Sequence, residues 1–244
     1  MTLLQRLARR LGYDLVPRKK AKAPNAQLVA LLKHHRIDTV LDVGANVGQY
    51  GQRLRDWGYD GRIVSFEPLS SAHQQLLTRS ASDPGWVVAP RMALGAEDGE
   101  IDIQVSAETD MSSILPQSDL LKKISPSSAI QTSECVPIHR LDSIASDYVD
   151  GEGRAFLKID TQGFEPAILD GATALLPRLL GLQLEMSLLP LYQGERDYLT
   201  MVQRLAASGY TLHLVLPGYF ERKLARMVEI DGVFMRERPL EETP

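Results

Sequence analysis

Short apolar runs alternate along the chain with longer amphipathic stretches, and that rhythm predicts a mainly parallel sheet covered by helices. Thr39-Val-Leu-Asp-Val43, Arg62-Ile-Val-Ser-Phe66, Trp86-Val-Val-Ala89, Ala155-Phe-Leu-Lys-Ile159 and Leu180-Gly-Leu-Gln-Leu184 read as buried strands. Between them the helical period marks Leu28 to His35, Gln49 to Trp57, Ser70 to Ser80 with a serine as its cap, Phe164 to Leu176, and Arg196 to Ser208 closed by Gly209. The turn signal Asp98-Gly99, between Ala93-Leu94 and the alternating Ile101-Asp-Ile-Gln-Val105, suggests a hairpin or an added strand. Val136 to Leu141 is a further strand-like piece, and Tyr210 to Leu216 and Met227 to Met235 form a final antiparallel pair. The expected fold is α/β and Rossmann-like, with about seven mostly parallel strands, helices on both faces and the last strand pair antiparallel. Residues 107–133 are rich in Ser, Asp, Pro and Gln without a period and read as a lid over a site.

Length suits one large domain, placed at 25–238, behind a basic helix and linker at 1–24. Hydrophobic residues make up 44% and charged residues 24%, as in an ordinary globular core. Charge is uneven: residues 1–24 carry a net +6, leaving −10 on the rest. An acidic body argues against wrapping nucleic acid, while the basic segment can touch an anionic membrane surface or pack on the domain. One cysteine, Cys135, rules out an intrachain disulfide and fits a reducing cytoplasm. No apolar run is long enough to span a bilayer, and the first residues do not read as a secretory signal.

The sharpest local signal is Asp42-Val-Gly-Ala-Asn-Val-Gly48 after the first strand. Gly44 permits a tight turn, and Gly48 lets the next helix approach closely. Asp42 ends the strand where it would repel a dinucleotide's pyrophosphate. It would favour, directly or through water, the ammonium and sulfonium of S-adenosylmethionine (SAM). Glu67 ends the second strand about 20 residues on, where an acid grips ribose hydroxyls.

These residues, with Phe66-Glu-Pro68, Ala93-Leu-Gly95, Leu157-Lys-Ile-Asp-Thr-Gln-Gly-Phe-Glu165, Leu182-Gln-Leu-Glu185 and Ile230-Asp-Gly-Val-Phe234, resemble the FkbM family of SAM-dependent methyltransferases. The resemblance spans about residues 37 to 236. It implies a class I methyltransferase fold and, usually, O-methylation of sugars, polyketides or other metabolites. Many members carry Glu where this chain has Gln162. The cofactor-binding set expected here is Asp42, Gly44, Ala45, Asn46, Gly48, Glu67, Pro68, Met92, Ala93 and Asp160.

Methyl transfer from a sulfonium is an in-line displacement, so the protein must align the nucleophile and exclude water. Ligands of open α/β sheets bind at the C-terminal strand ends, which is where Asp160 and Glu185 stand. Asp160 is the candidate base or substrate-positioning residue; Lys158, on the face opposite to Ile159, is either its support or a structural or surface charge. Glu185 can take a proton, hold substrate or join Asp160 at a metal, although two carboxylates are few for a divalent ion. His139 and His213 are alternative bases. His34 and His35 belong to the surface of the first helix. Ser112 and Ser113, in the lid, are candidates for binding the acceptor or the SAM carboxylate, or else cap a turn, and Tyr192, after the fifth main strand, either lines the acceptor pocket or packs. Rival readings are an NAD-dependent oxidoreductase, which favours a full G-x-G-x-x-G, and a non-catalytic SAM-binding interaction module. No Asn/Asp-Pro-Pro-Tyr/Phe motif of a DNA methyltransferase occurs.

Overall fold

The computed structural model describes residues 23–107, 111–149 and 153–236. The basic segment expected at 1–24 lies outside these residues except for its last two positions. Pro24 does not close a linker. It opens helix α1 (Pro24–His34), where its missing amide proton costs nothing.

The main sheet has seven strands: β1 (Thr39–Val43), β2 (Arg62–Phe66), β3 (Trp86–Val88), β7 (Ala155–Ile159), β8 (Gly181–Ser187), β9 (Tyr210–Pro217) and β12 (Glu229–Arg236). Their spatial order is β3-β2-β1-β7-β8-β12-β9, and a short antiparallel pair, β10 (Phe220–Glu221) and β11 (Arg226–Met227), stands outside this sheet. All pairings are parallel except those of β12, which runs antiparallel between β8 and β9. The expected antiparallel end is therefore made by one reversed strand inserted beside β8. Every residue of β1 and β7 is buried, as their unbroken apolar patterns require of central strands covered on both faces. One face packs on α1, α2 (Gln49–Asp56) and α3 (Ser70–Ser80) through Leu28, Leu32, Leu54, Leu76, Val40 and Phe156. The other packs on α5 (Leu141–Ile144), α6 (Glu165–Asp170) and α7 (Tyr198–Ala207) through Leu41, Leu157, Leu182, Ile168 and Leu205.

Four local expectations change. Ala93-Leu94 (β4) and Gly99–Ser106 (β5) do not pair with each other. Both lie against the ten-residue β6 (Ile130–His139), β4 parallel and β5 antiparallel, in a separate three-stranded sheet. The segment 107–133 is no loose lid. It carries α4 (Asp119–Ile124), capped by the Ser118 side chain, and the first strand residues of β6, and it buries Leu121, Ser113, Gln117 and Ser128. Ser70 does not cap α3: its backbone N and hydroxyl donate to Glu134 at 3.0 and 2.9 Å, and Leu69 occupies the cap position. The helix expected from 164 to 176 ends at Asp170, and beyond it the Asp142 carboxylate takes the amides of Ala174 and Leu175 at 2.9–3.1 Å and holds that stretch in turns. Among the described residues, no helix is long and apolar enough to cross a membrane.

Candidate active site

The loop after β1 is shaped by three residues in left-handed backbone, Gly44 (φ +72°), Asn46 (φ +48°) and Gly48 (φ +84°). Gly44 is required twice over, since a Cβ there would stand 1.9 Å from the carbonyl oxygen of Asp160. Gly44 and Ala45 donate their amides to the Phe66 carbonyl, both at 3.1 Å. The loop is thus laid across the ends of β2 and β7.

Beneath it lies Lys158, pointing from β7 to the α1–α2 face of the sheet and buried. Its Nζ meets Asp42 Oδ1 at 3.2 Å in ion-pair rather than hydrogen-bond geometry, and Asp160 Oδ2 at 3.3 Å. It also donates to the carbonyls of Gly44 (3.0 Å) and Val43 (3.3 Å) and sits 5.3 Å from the Tyr50 ring centre. Burial by itself would lower the ammonium's pKa; the facing Asp160 and Asp42 carboxylates more than reverse this and raise it. Asp42 is 0% exposed and accepts the Ser65 hydroxyl at 3.2 Å. This corrects the expectation that Asp42 faces a cofactor cation. Its charge is neutralised under the loop, whereas Asp160, with a side chain 35% exposed, faces outward.

Above the strand ends opens a cavity of about 490 Å³. Of the cofactor residues expected from sequence, Gly44, Ala45, Asn46, Glu67, Pro68, Met92, Ala93 and Asp160 line it. Gly48 does not; it lies behind, where a Cβ would press within 2.8 Å of Leu76. Glu67 accepts the Asn46 amide on one oxygen and the Leu69 amide on the other, each at 2.8 Å. Burial nevertheless pushes its pKa up to about 7. At the other end Glu185, also in the wall, accepts Gln162 Nε2 at 2.6 Å. Glu185 is pushed well above the usual range by burial and by Asp160, Glu229 and other nearby carboxylates. Glu229 rises to about 8 by burial, with Asp160 the next cause.

Ser112 and Ser113 line the cavity, but both hydroxyls are engaged. Ser112 accepts the Ser106 amide at 3.0 Å, and Ser113 donates to the Gln162 carbonyl at 2.7 Å. Tyr192 does not line it. The ring is 2% exposed, and the hydroxyl turns to Gln162 Oε1 at 2.7 Å instead of towards an acceptor. His139 is corrected as a base: it sits away from the cavity wall at the end of β6, with Nδ1 3.3 Å from Asp98. His213 lies on the outer strand β9, its ring 6.0 Å from that of His35, which stacks edge-on with the exposed His34. Among the described residues, no group of three or more His, Cys, Asp or Glu is arranged to hold a metal.

Sequence reasoning missed Gln49, Tyr50 and Arg53 on α2, and Tyr219 and Glu229 at the far end. Gln49 and Arg53 stand four apart on the helix that follows the glycine loop, a spacing that puts both on one face. Tyr219, in the turn after β9, and Glu229 carry no local signal; Glu229 reaches the site only because β12 inserts next to β8.

A family model described as the methyltransferase FkbM domain matches residues 42–212. No curated protein matches the chain. Similar solved structures include a putative methyltransferase from Thermobifida fusca YX, 12% identical over 88% of this chain and 79% of that one, with a TM-score of 0.52. Magnesium protoporphyrin IX methyltransferase from Synechocystis PCC 6803, with bound SAM, is 10% identical over 97% of this chain and 86% of its own, with a TM-score of 0.46. At 12% identity the likeness to the Thermobifida protein concerns the fold alone.

Two predictions concern stability. Lys158→Met leaves Asp42 charged, buried and unpaired, and is expected to lower unfolding free energy by about 3–5 kcal/mol in urea titrations; adding Asp42→Asn should recover most of it. Glu67, Glu165 and Glu229 have folded-state pKa values of about 7, 7 and 8, raised from 4.5. The folded chain therefore holds protons that the unfolded chain has released, so these groups contribute fully below the unfolded value and lose that contribution as pH rises to about 8. The melting temperature should fall across this window, and Glu229→Gln should flatten the upper part of the fall.

Proposed function

Because the chain belongs to the FkbM methyltransferase family, we propose that its cavity binds SAM and that the protein methylates a hydroxyl of a sugar or other small metabolite. One observation carries this reading: a single cavity joins the Glu67 carboxylate, bonded to the glycine loop through the Asn46 amide, to the carboxyls of half-buried Glu185 and buried Glu229. Glu67 ends β2 and Glu185 lies on β8, three strand positions away, or roughly 14 Å at about 4.8 Å per strand. That separation suits a cofactor gripped at its ribose and reacting at its far end.

The wall fits SAM chemically. Each Glu67 oxygen holds one backbone amide and keeps a lone pair for a ribose hydroxyl. Gln49 Oε1 is a buried acceptor with no hydrogen-bond partner, on the same helix face as Arg53. An acceptor and a guanidinium side by side suit the ammonium and carboxylate of an amino acid. Pro68, Met92 and Ala93 give apolar wall for a base. When bound, SAM supplies an electrophilic methyl on a sulfonium, already activated for in-line attack.

The chain then has to bring a hydroxyl oxygen into line, exclude water and take up the proton. Glu185 suits the last task. A carboxyl held high by burial is a stronger base when ionised than one in water. In such a transfer Glu185 would take up the proton that the acceptor hydroxyl gives up. Asp160, fixed by Lys158, positions the reacting groups. The acidic cavity end and the acidic body favour a small neutral acceptor over nucleic acid.

Calorimetry with SAM, S-adenosylhomocysteine and NAD tests the reading. SAM should bind and NAD should not; tight NAD binding without SAM binding would overturn it. Glu67→Gln should weaken SAM about 10- to 100-fold, the worth of charge-assisted bonds. With a hydroxylated acceptor, Glu185→Gln should lower kcat by about 10²–10⁴. The wild-type rate should climb with pH as Glu185 ionises, and a flat profile would remove Glu185 as the base.

A further inference from the structure

We propose that Gln162 and Tyr192 form a positioning pair that orients Glu185 and separates it from Asp160, presenting one oxygen of the Glu185 carboxyl to the cavity. The proposal rests on the reading of Glu185 as the proton acceptor. Gln162 Nε2 donates to Glu185 Oε2 at 2.6 Å and lies 3.3 Å from Asp160 Oδ1. It is the only hydrogen-bond donor to the Glu185 carboxyl among the described residues. On its other side, Gln162 Oε1 accepts the Tyr192 hydroxyl at 2.7 Å.

The phenol fixes the amide's orientation. Reversing the amide would turn its oxygen towards two carboxylates, which only accept when ionised, and would leave the Tyr192 hydroxyl only its longer contact, the Met111 carbonyl at 3.3 Å, to donate to. The backbone is pinned as tightly as the side chain. Gln162 and Gly163 are both left-handed, at φ +58° and +92°. Glu165 holds this turn by accepting the amides of Thr161 at 2.8 Å and Gly163 at 3.3 Å, and the Ser113 hydroxyl clamps the Gln162 carbonyl at 2.7 Å. A left-handed backbone at a residue other than glycine is strained, and surrounding structure must hold it in place. Here that structure aims one neutral amide between two acids.

The charges facing Glu185 are otherwise of one sign: Asp160 at the end of β7, Glu165 on α6, and Glu229 and Asp231 on β12. Lys158 is occupied by Asp42 and Asp160. With Oε2 held by the amide, Oε1 is left to receive a proton from the cavity. A carboxylate in place of Gln162 would add another negative charge, and an apolar side chain would leave Glu185 free to rotate.

The test reads Glu185 itself. In the full chain labelled with ¹³C at the glutamate side-chain carboxyls, the Glu185 resonance is titrated in the wild type, Gln162→Leu and Tyr192→Phe. Losing the donor should move the Glu185 midpoint up by about one pH unit in Gln162→Leu. Tyr192→Phe keeps the ring and the fold and should move it in the same direction by less. The pH profile of kcat should move with the midpoint, while SAM affinity stays within about twofold. An unmoved Glu185 midpoint in Tyr192→Phe and in any folded Gln162→Leu overturns the pair. A shifted midpoint with no methyl transfer by the wild type would instead overturn the reading of Glu185 as a catalytic base and leave the positioning pair standing.

Discussion

The Lys158 ammonium is the contact around which the site is organised. A charged amine in the middle of a sheet is tolerable only if its surroundings replace water, and here they do so with two carboxylates, two carbonyls and an aromatic face. Those partners belong to β1, the glycine loop, α2 and the end of β7. One buried cation therefore ties together the pieces that must meet at the cavity floor. It also divides two acids that look alike in sequence. Asp42 is sealed in to balance the charge, while Asp160 is held at the edge with one face open.

The sequence was most legible where function and local geometry coincide. The glycine loop, Glu67 and the ends of β7 and β8 could be placed because each sits at a strand terminus, and strand termini follow from short apolar runs. Asp42 misled for an instructive reason: a strand-end acid can point up into the site or down beneath the loop, and the choice depends on Lys158, 116 positions away in the chain. For Lys158, alternation fixes a face opposite to that of Ile159 but leaves open a surface charge or a support for Asp160; the buried contacts with Asp42 and Asp160 decide between them. His139 and Tyr192 failed differently. His139 belongs to a three-stranded sheet whose pairing partners no short-range pattern could specify. Tyr192 follows the expected strand, but the turn of Gln162 draws its hydroxyl inward.

The acidic end of the cavity has a cost in stability. Glu185, Glu229 and Asp231 come together because β12 runs antiparallel beside β8, setting Asp231 opposite Glu185 and Glu229 opposite Ser187. Inserting a reversed strand there brings carboxyls from distant parts of the chain into one low-dielectric space, and their pKa values rise together. A cluster like this weakens the folded state near neutral pH. Its persistence beside a built-in amide donor is understandable if a basic, partly protonated carboxyl is what the site is for.

The wall facing that cluster is built on a different principle from the floor. Residues 111–124 pack against 189–192, Tyr219 and Val228 in a small apolar cluster separate from the two faces of the main sheet. Its segments are laced mainly through backbone groups: Ser118 to Leu191, Gln193 to Pro116, Leu188 to Val228 and Val228 to Tyr219, at 2.8–2.9 Å. Backbone bonds hold a segment in place whatever its side chains are, so the wall can change composition while keeping its shape. The floor has no such freedom, because Gly44, Lys158 and Asp160 are each fixed by a specific contact. On the proposed reading, cofactor recognition would fall to residues that the fold itself requires, and acceptor recognition to the wall built mainly on backbone contacts. For the same reason the first was readable from the chain and the second was not.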